Sequence, residues 1–518
     1  MAKEIQILWT DDEIDLLKPY ILFLEEKGYS VHTASNGEEA LELVRKESFN
    51  LIFLDENMPG LSGLETLERI KEVTPSVPVI MITKSEEEDI MDEAIGNKIA
   101  DYLIKPVNPK QILLTIKKHI DTERLVTQKT TSAYQMQFSQ ISTLINSANS
   151  YKDWTDIYQK LVFWDQQLED SGDSGMNEVL SMQWTEANNG FYKFVKANYN
   201  RWLVNGSDDT PVMSPRFFSK GLFPLLHNEK ITVLVIDNLR YDQWKLIEQK
   251  IASLYRTEEE EIFCSILPTA TQYARNAIFS GLMPSEIKKV IPRYWVDEDQ
   301  EEGKNQYEAE LLKYQLQSKG YTSSMNYEKI MNLKQGKKIV DHFSDLMNYD
   351  LNVLVYNFVD MLSHARTEMN VIRELSYDEK SYRALTTTWF NNSYLMELIK
   401  LLSQHRVKLV ITTDHGAVRV QNPVKVVGDR NTSSNLRYKQ GKNLSYNAKQ
   451  VFELKDPANG YLPKSNVSSS YIFAGNYDYL VYPNNYHHFV NHYRNTFQHG
   501  GISMEEMLIP FAVLSPTS

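Results

Sequence analysis

The chain of 518 residues contains a single cysteine, Cys264, so it has no internal disulfide. Cysteine-poor chains are typical of reducing compartments. No uninterrupted apolar run is long enough to cross a bilayer, and the opening residues MAKEIQILWTDDEID turn acidic before any long apolar stretch, unlike a secretory signal. These absences predict a cytoplasmic protein with no membrane insertion.

An excess of positive charge is also missing. Lys plus Arg number 55 against 68 Asp plus Glu, which gives a net charge of -13. The chain as a whole therefore has no attraction for nucleic acid or for anionic membranes, and any such contact needs a local cationic patch. Its length predicts roughly three domains.

Residues 1–122 alternate between strand and helix patterns. The runs EIQILW, SVHTA, LIFL, PVIMIT and DYLI predict strands, and EIDLLKPYILFLEEKG predicts a helix that closes on Gly28. Such alternation predicts a parallel sheet with helices on both faces, whose carboxyl strand ends meet at one edge. The polar side chains that follow the strands should share a pocket there: Asp11, Asp12, Asp55, Thr83 and Lys105.

The chemistry of this predicted pocket follows from its charges. Close carboxylates repel one another unless a cation joins them, and Mg²⁺ prefers oxygen ligands. Asp55 can then attack a phosphoryl donor, while Lys105 and Thr83 stabilise the transferred charge. Lys105 precedes Pro106, and an X-Pro bond is a candidate for the cis form.

This ordered set resembles the response-regulator receiver family, which implies a flavodoxin-like doubly wound fold. The resemblance implies that a sensor histidine kinase phosphorylates Asp55, and that Thr83 and Tyr102 shift together as a switch. It also implies that Mg²⁺ is bound by Asp11, Asp12, Asp55 and the carbonyl of Asn57.

Residues 123–205 lose the strand pattern. Segments such as YQMQFSQISTLINSA and WTDIYQKLVFWDQQLED carry apolar residues at helical spacing, which predicts a helical bundle linker. We expect its core to contain Trp154, Trp164, Trp184 and Trp202. From its position alone, such a linker can transmit a change in the first domain to the third.

Residues 206–518 place acidic and histidine side chains beside apolar strand patterns. Carboxylate and imidazole groups are ligands of zinc in proteins. Asp360 and His364 are four residues apart, so a helix presents both on one face. The side chains concerned lie beside the runs ITVLVID, LNVLVYN, VKLVITT and MEEMLIPFAVL: Asp237, Asp360, His364, Asp414, His415 and His499.

Two Zn²⁺ ions held by three carboxylates keep a net positive charge. That charge attracts a phosphate ester and lowers the pKa of a coordinated hydroxyl. A threonine hydroxyl at such a site can become the nucleophile of an in-line displacement at phosphorus. Thr269 and Thr271, in ILPTATQYARNAIFSG, lie just after another strand-like run.

Most of residues 230–518 resembles the alkaline phosphatase superfamily, specifically its PglZ branch. This resemblance implies an alkaline-phosphatase-like α/β domain. The resemblance rests on VIDNLRYDQW, PTATQYARNAIFSG, NFVDMLSHAR, TTDHG, NLRYKQGK and QHGGISMEEMLIPF. It implies Thr271 as the catalytic nucleophile and Thr269 as a packing residue. It also implies one zinc on Asp237, Thr271, Asp414 and His415, and a second on Asp360, His364 and His499.

The group that steadies the phosphoryl oxygen is open. Superfamily relatives that cleave diesters often carry Asn three positions after the nucleophile, where this chain has Ala274. The candidates are then Arg240, Arg275 and Asn276.

A cationic cluster stands out in the acidic third domain. NLRYKQGK brings together Arg437, Lys439 and Lys442. The cluster is either a contact for a polyanion, which needs local cations, or a solvated loop.

The three segments in order resemble the PorX-like family of response regulators of type IX secretion. The resemblance implies a sigma-factor partner and a phosphorylation-linked homodimer. We therefore predict a response regulator whose zinc-dependent effector domain hydrolyses phosphodiesters, either nucleotides or oligonucleotides. Two alternatives stay open: a signalling scaffold with a structural metal site, and a phosphomonoesterase.

Overall fold

The structure is a computed structural model that falls into two compact units, each described by itself. One unit contains residues 1–133 and 171–173, and the other contains residues 134–170 and 174–518. The described residues are 5–84, 99–171, 174–204, 210–227, 229–297, 300, 303–429, 432–464 and 468–517.

The first unit is built on a five-stranded parallel sheet, as predicted. The strand Leu51–Asp55 is buried along its whole length, which explains why it reads as a continuous apolar run. It lies between Ile5–Thr10 and Val79–Thr83, so Asp11 and Asp55 lie at neighbouring strand ends. The order across the sheet is Tyr29–Ala34, Ile5–Thr10, Leu51–Asp55, Val79–Thr83 and Asp101–Ile104.

Helices cover both faces of this sheet. Leu8, Ile52 and Leu54 pack into one buried core, while Ile7 and Phe53, which alternate with them, pack into the other. The described helices are Ile14–Leu17 (a 3₁₀ turn), Lys18–Glu26, Gly37–Lys46, Gly63–Val73, Pro109–Ile116 and Lys117–Asp121 (a π turn).

Three helices form the middle of the chain: Thr122–Ser147, Tyr151–Ser171 and Ser174–Val204. From Tyr134 onward their residues up to 170, and again from 174, belong to the second compact unit. Trp154, Trp164 and Trp202 are buried, as expected for core residues. Trp184 is only half-buried, because it lines a cavity between the helices and the rest of that unit.

The second unit is centred on a six-stranded mixed sheet. Its strands run in the order Tyr255–Cys264, Leu508–Pro516, Lys408–Thr412, Ile231–Ile236, Leu351–Tyr356 and Met325–Ile330. The last four are parallel, and Leu508–Pro516 pairs antiparallel with both of its neighbours. The adjacent strands Lys408–Thr412, Ile231–Ile236 and Leu351–Tyr356 therefore end at one edge, where Asp414, Asp237 and Asp360 follow.

The remaining elements surround this sheet. The short strands pair as Val418–Arg419 with Phe497–Gln498, as Asn422–Lys425 with Asp478–Val481, and as Tyr438–Lys442, Ser469–Ala474 and Val451–Leu454 in one three-stranded sheet. The longer helices are Tyr241–Ile251, Thr271–Ser280, Pro284–Val290, Glu308–Ser318, Leu333–Asp341, Phe358–Glu368, Asn370–Leu375, Glu379–Asn392, Tyr394–Gln404 and Tyr486–Tyr493. Single turns are Ser214–Arg216, Phe218–Leu222, Phe223–His227, Pro292–Tyr294, Phe343–Leu346, Pro457–Gly460 and Met504–Met507.

A search of the described helices for a membrane span found none with the length and apolar character that a bilayer crossing requires.

Candidate metal centres

The acidic pocket of the first unit brings together three predicted carboxylates, Asp11, Asp12 and Asp55. One oxygen from each lies within 4.8 Å of the others. The Lys105 ammonium lies 2.8 Å from Asp11 Oδ2 and 2.7 Å from Asp55 Oδ1. The strand ends therefore assemble the pocket that the sequence predicts.

The charges of the acidic pocket do not balance. Burial raises the pKa of Asp55, although Lys105 partly opposes the shift. Burial by itself lowers the pKa of Lys105, but its hydrogen bonds to Asp11 and Asp55 outweigh burial and raise it. One ammonium faces three carboxylates, so the pocket has the oxygen donors and the excess negative charge that suit a divalent cation.

The other predicted receiver residues lie around this pocket. The Thr83 hydroxyl donates to the carboxylate of Glu56, which the sequence analysis did not single out. Tyr102 is 39 % exposed, and Asn57 is exposed just after the buried Glu56. The bond between Lys105 and Pro106 is cis. The joint shift of Thr83 and Tyr102 stays a prediction.

The second unit gathers the zinc-type side chains into one place, which we call the His–Asp pocket. Its members come from different elements. Asp360 and His364 lie on the helix Phe358–Glu368, and Thr271 opens the helix Thr271–Ser280. The His–Asp pocket consists of Asp237, Thr271, Asp360, His364, Asp414, His415 and His499.

One half of the His–Asp pocket is fully buried. Asp237, Asp414 and His415 each offer a ligand atom within 4.8 Å of the others. His415 Nε2 lies 3.9 Å from Asp237 Oδ1 and 3.7 Å from Asp414 Oδ2. The Thr271 hydroxyl is 3.1 Å from His415 Nε2 and 3.5 Å from Asp237 Oδ1, so it points at the same space.

The other half is more open to solvent. His499 Nε2 and His364 Nε2 each lie 3.5 Å from an oxygen of Asp360. The His364 side chain is 62 % exposed, against 12 % for His499. The rings of His415 and His499 stack with centroids 4.3 Å apart, which joins the two halves into one pocket with an open side.

Backbone contacts fix the histidine orientations. His415 Nδ1 lies 3.2 Å from the carbonyl oxygen of Gly416, and His499 Nδ1 lies 3.2 Å from that of Thr269. A carbonyl oxygen only accepts, so each Nδ1 carries the hydrogen and each Nε2 keeps its lone pair for the pocket. Thr269 is itself fully buried and bonds the Gly500–Gly501 backbone through its hydroxyl.

Three residues that the sequence analysis missed hold the ligand candidates in place. Asn357 Nδ2 donates to Asp237 Oδ2 at 3.0 Å, and Asn238 Nδ2 donates to Asp360 Oδ1 at 3.3 Å. Both asparagines stand close after the end of a strand. A search of the sequence for polar residues at strand ends would therefore find them. Glu308 has no such signal, because it lies at the start of a separate helix, Glu308–Ser318.

The electrostatics of the His–Asp pocket favour neutral imidazoles and suit a bound cation. Burial lowers the pKa of His415 and lowers that of His499 to about 3. Burial also raises the pKa of Asp414 and raises that of Asp237 to about 8, although Arg275 opposes both. Neutral imidazole is the form that binds a metal, and a bound cation is what restores buried carboxylates to their charged form.

The donor set fits a metal ion by one further test. Asp414 Oδ2 is buried and makes no hydrogen bond within the described part of the chain. Such an orphaned acceptor is costly unless another partner satisfies it. Carboxylate oxygens and imidazole nitrogens separated by 3.5 to 3.9 Å are too far apart to bond each other directly, but they surround a common point.

Arg275, one of the candidates for steadying the phosphoryl oxygen, is held by two carboxylates. Arg275 Nη1 lies 2.8 Å from Asp237 Oδ2, and its Nε lies 2.7 Å from Glu308 Oε1. The structure thus makes Arg275 a support of Asp237.

The other two candidates have partners of their own. Asn276 donates to the Lys304 carbonyl at 3.0 Å and accepts from Asn305 at 3.1 Å. Arg240 is 2 % exposed and pairs with Asp242 and Glu379. The side chains of Asn276 and Arg240 are therefore directed to contacts outside the His–Asp pocket.

The predicted polyanion patch is wrong for two of its three cations. Arg437 is fully buried, and its Nη2 lies 2.6 Å from Glu506 Oε2. Lys439 is 1 % exposed, donates to the Ser434 carbonyl at 3.1 Å, and has its pKa lowered to about 7 by burial. Only Lys442 is exposed, so the strand Tyr438–Lys442 offers a polyanion one cation.

Family models match the three segments separately. Residues 7–117 match a response regulator receiver domain, and residues 124–203 match a PorX response regulator linker domain. Residues 217–514, more than half of the chain, match a BREX system PglZ alkaline phosphatase-like domain. These matches confirm the predicted architecture of receiver, helical linker and PglZ domain.

Two transcriptional regulatory proteins are each similar to about a quarter of this chain. The transcriptional regulatory protein ZraR of Klebsiella oxytoca is 34 % identical over 140 residues, which are 27 % of this chain and 32 % of ZraR. The transcriptional regulatory protein ResD of Bacillus subtilis (strain 168) is 33 % identical over 116 residues, 22 % of this chain and 48 % of ResD. The chain thus spans a third to a half of these curated relatives.

Among solved structures, a CheY-like receiver domain protein of Methanospirillum hungatei JF-1 is 31 % identical. The match covers 23 % of this chain and 95 % of that chain, with a TM-score of 0.23.

Proposed function

The chain belongs to the family of PglZ alkaline phosphatase-like domains, and on that premise we propose that it is a response regulator whose effector domain is a zinc-dependent phosphodiesterase. The observation that carries the proposal is the convergence of Thr271 with two Asp–His clusters at one edge of the sheet. Substrates with nucleotide or oligonucleotide leaving groups are the proposed class.

The proposed zinc ligands divide between the two halves of the pocket. The buried half would hold one ion and the open half the other. Zinc takes carboxylate and imidazole ligands, and when bound it stabilises negative charge on an oxygen. In the proposal the ligands are Asp237, Thr271, Asp414 and His415 for one ion, and Asp360, His364 and His499 for the other.

Thr271 is the proposed nucleophile because its hydroxyl faces the pocket from the first position of a helix. Its oxygen lies 3.1 Å from His415 Nε2, whose lone pair can accept a hydrogen bond from the hydroxyl. Helix N-termini favour negative charge. Asn305 Nδ2 donates to the Thr271 carbonyl at 3.1 Å and so helps to fix that position.

The charge of the pocket supports a diester over a monoester. A diester carries one negative charge, whereas a monoester carries close to two at neutral pH. Arg275, the guanidinium in contact with the pocket, is already occupied by Asp237 and Glu308. A monoanionic substrate therefore makes the smaller demand on the cations that this pocket provides.

The regulatory half of the proposal rests on the receiver domain. We infer that a sensor histidine kinase phosphorylates Asp55 with Mg²⁺ bound by Asp11, Asp12, Asp55 and the carbonyl of Asn57. The Lys105 contacts to Asp11 and Asp55 support this role. The match to the PorX linker supports the further proposal of phosphorylation-linked dimerisation, a sigma-factor partner and control of type IX secretion.

The test measures metal content and hydrolysis on the same sample of full-length protein. We expect about two zinc ions per chain and cleavage of bis(4-nitrophenyl) phosphate that exceeds cleavage of 4-nitrophenyl phosphate. Chelation should abolish cleavage, and added Zn²⁺ should restore it.

Two outcomes would count against the proposal. A zinc-loaded protein that cleaves neither ester would leave a scaffold with a structural metal site. A protein that prefers the monoester would overturn the diester assignment and keep the metal chemistry.

A further inference from the structure

A run of buried and half-buried charges joins the helical segment to the sheet of the second unit. Arg383 lies on the helix Glu379–Asn392 and is only 3 % exposed. Its Nη1 lies 2.6 Å from Asp165 Oδ2, and its Nη2 pairs with Glu169. Both carboxylates belong to the helix Tyr151–Ser171, so one guanidinium contacts that helix at two successive turns.

The run continues inward to the loop that carries Asp237. Arg383 Nη1 also lies 3.1 Å from Asp242 Oδ2, and Asp242 Oδ1 lies 2.9 Å from Arg240 Nε. Burial raises the pKa of Asp242, but Arg240 and Arg383 outweigh burial and hold it below its ordinary value. Asp242 therefore stays ionised between two guanidiniums.

We call these five side chains the charge clamp: Asp165, Glu169, Arg383, Asp242 and Arg240. The end of the charge clamp at Arg240 is close to the His–Asp pocket. Arg240 stands three residues after Asp237, in the same loop as Asn238, which donates to Asp360 at 3.3 Å. The loop thus reaches both halves of the His–Asp pocket.

A second contact of the helical segment reaches the segment that follows His499. Asn188, which is fully buried on the helix Ser174–Val204, donates to Glu505 Oε2 at 3.0 Å and accepts from the Met504 amide at 2.9 Å. A cavity of about 150 Å³ adjoins both contacts, and its lining includes Asp165, Arg240, Arg383 and Glu505.

We propose that Arg383 is a positioning residue through which the helix Tyr151–Ser171 sets the place of Asp237 and so the rate of hydrolysis. The inference rests on the proposed function and names the route by which the helical segment controls it. Removal of Arg383 leaves the buried Asp242 with one guanidinium, and the Asp237 loop is then free to move away from Thr271. Displacement of about an ångström at a reacting centre lowers a rate by as much as a hundredfold.

The test compares zinc-loaded full-length variants. For Arg383→Gln we expect kcat on bis(4-nitrophenyl) phosphate to fall about tenfold to a hundredfold with KM nearly unchanged. Lys380→Gln is the matched control. Its ammonium reaches Glu169 from the same helix at 4.0 Å with the side chain 61 % exposed, and such exposed pairs contribute little. Its kcat should equal that of the wild type.

A helix-side variant separates positioning from simple loss of stability. Asp165→Asn with Glu169→Gln removes the helix-side half of the charge clamp without altering the sheet, and serves alone if Arg383→Gln does not fold. If the clamp acts through the helix, this double variant lowers kcat, and adding Arg383→Gln lowers it little further. Additive losses in kcat, or variants whose Tm falls while kcat holds, overturn the inference.

Failure of the proposed function has a different signature. In that case the zinc-loaded wild type cleaves no ester. The effect of the charge clamp on the metal ligands is then measured by the visible absorption spectrum of Co²⁺ bound in place of zinc. A spectrum altered by the helix-side double variant supports the clamp, and identical spectra overturn it.

Discussion

The acidic pocket and the His–Asp pocket each hold a cluster of carboxylates, but they differ in how a cationic side chain contacts it. In the acidic pocket the Lys105 ammonium touches Asp11 and Asp55 directly, at 2.8 and 2.7 Å. In the His–Asp pocket the guanidinium of Arg275 contacts one oxygen of Asp237, at 2.8 Å, while the Thr271 hydroxyl lies 3.5 Å from the other oxygen. The first arrangement suits the transient phosphorylation and Mg²⁺ binding that we propose for Asp55, and the second suits the resident zinc ions that we propose.

Two lysines sharpen the contrast. The pKa of Lys105 rises because hydrogen bonds to Asp11 and Asp55 overcome the effect of burial. The pKa of Lys439 falls to about 7 because burial acts on it alone. The same side chain thus holds its proton firmly in one region and loses it near neutral pH in another, and its surroundings decide which.

The largest expected effect separates the pockets completely. Asp55→Asn should abolish phosphoryl incorporation from acetyl phosphate, because the attacking carboxylate is gone, yet zinc content should stay unchanged. Intact-mass analysis measures the first and metal analysis the second. Asp15→Asn, whose side chain is 85 % exposed, is the control and should be phosphorylated normally. Phosphorylation that persists in Asp55→Asn would place the acceptor elsewhere.

The mirror-image change affects the other pocket alone. Thr271→Ala should lower kcat on bis(4-nitrophenyl) phosphate about a thousandfold or more, since loss of a nucleophile has effects of that order. Phosphorylation of Asp55 should be normal. Thr271→Ser keeps a hydroxyl and should retain much of the activity. Equal turnover by Thr271→Ala and wild type would remove Thr271 from the mechanism.

A smaller effect tests the support behind Asp237. Glu308 is 1 % exposed and holds Arg275 at 2.7 Å, so Glu308→Gln should loosen Asp237 and weaken zinc binding about tenfold to a hundredfold. Competition with a chromophoric chelator measures the affinity. Glu310→Gln, on the exposed side of the same helix, should bind zinc like the wild type. Equal affinities for the two variants would refute the support role.

The smallest effect concerns Lys439 and pH. Between its folded pKa of about 7 and its ordinary 10.5, the unfolded chain binds a proton that the folded chain has lost. The free energy of unfolding therefore rises with pH in this window, by about 1.4 kcal/mol per unit from this group. Urea titrations near pH 7.5 and 9.5 should show this slope for wild type and for Lys442→Met, and a slope reduced by that amount for Lys439→Met.

Much of both pockets could be predicted from the sequence because buried parallel strands read as continuous apolar runs. The strands Leu51–Asp55 and Ile231–Ile236 are both buried throughout, so the end of each apolar run can be recognised in the sequence. The residue after the run then lies at the functional edge of the sheet. That logic led to Asp55 and Asp237.

The misses share a physical cause, which is pairing between distant parts of the chain. Arg437 looked exposed among other cations, but its partner Glu506 stands 69 residues away. Arg383 meets Asp165 across 218 residues. Local patterns of hydrophobicity carry no information on such pairs, so neither the buried cation nor the charge clamp could be read from the sequence.

The place of Leu508–Pro516 between two other strands of the six-stranded sheet has a consequence for biosynthesis. All seven members of the His–Asp pocket are translated before this strand, yet the strand joins Lys408–Thr412 to Tyr255–Cys264. When translation has just passed His499, the nascent chain contains every candidate ligand but does not yet contain this strand of the sheet. Metal capture should therefore follow release of that strand from the ribosome.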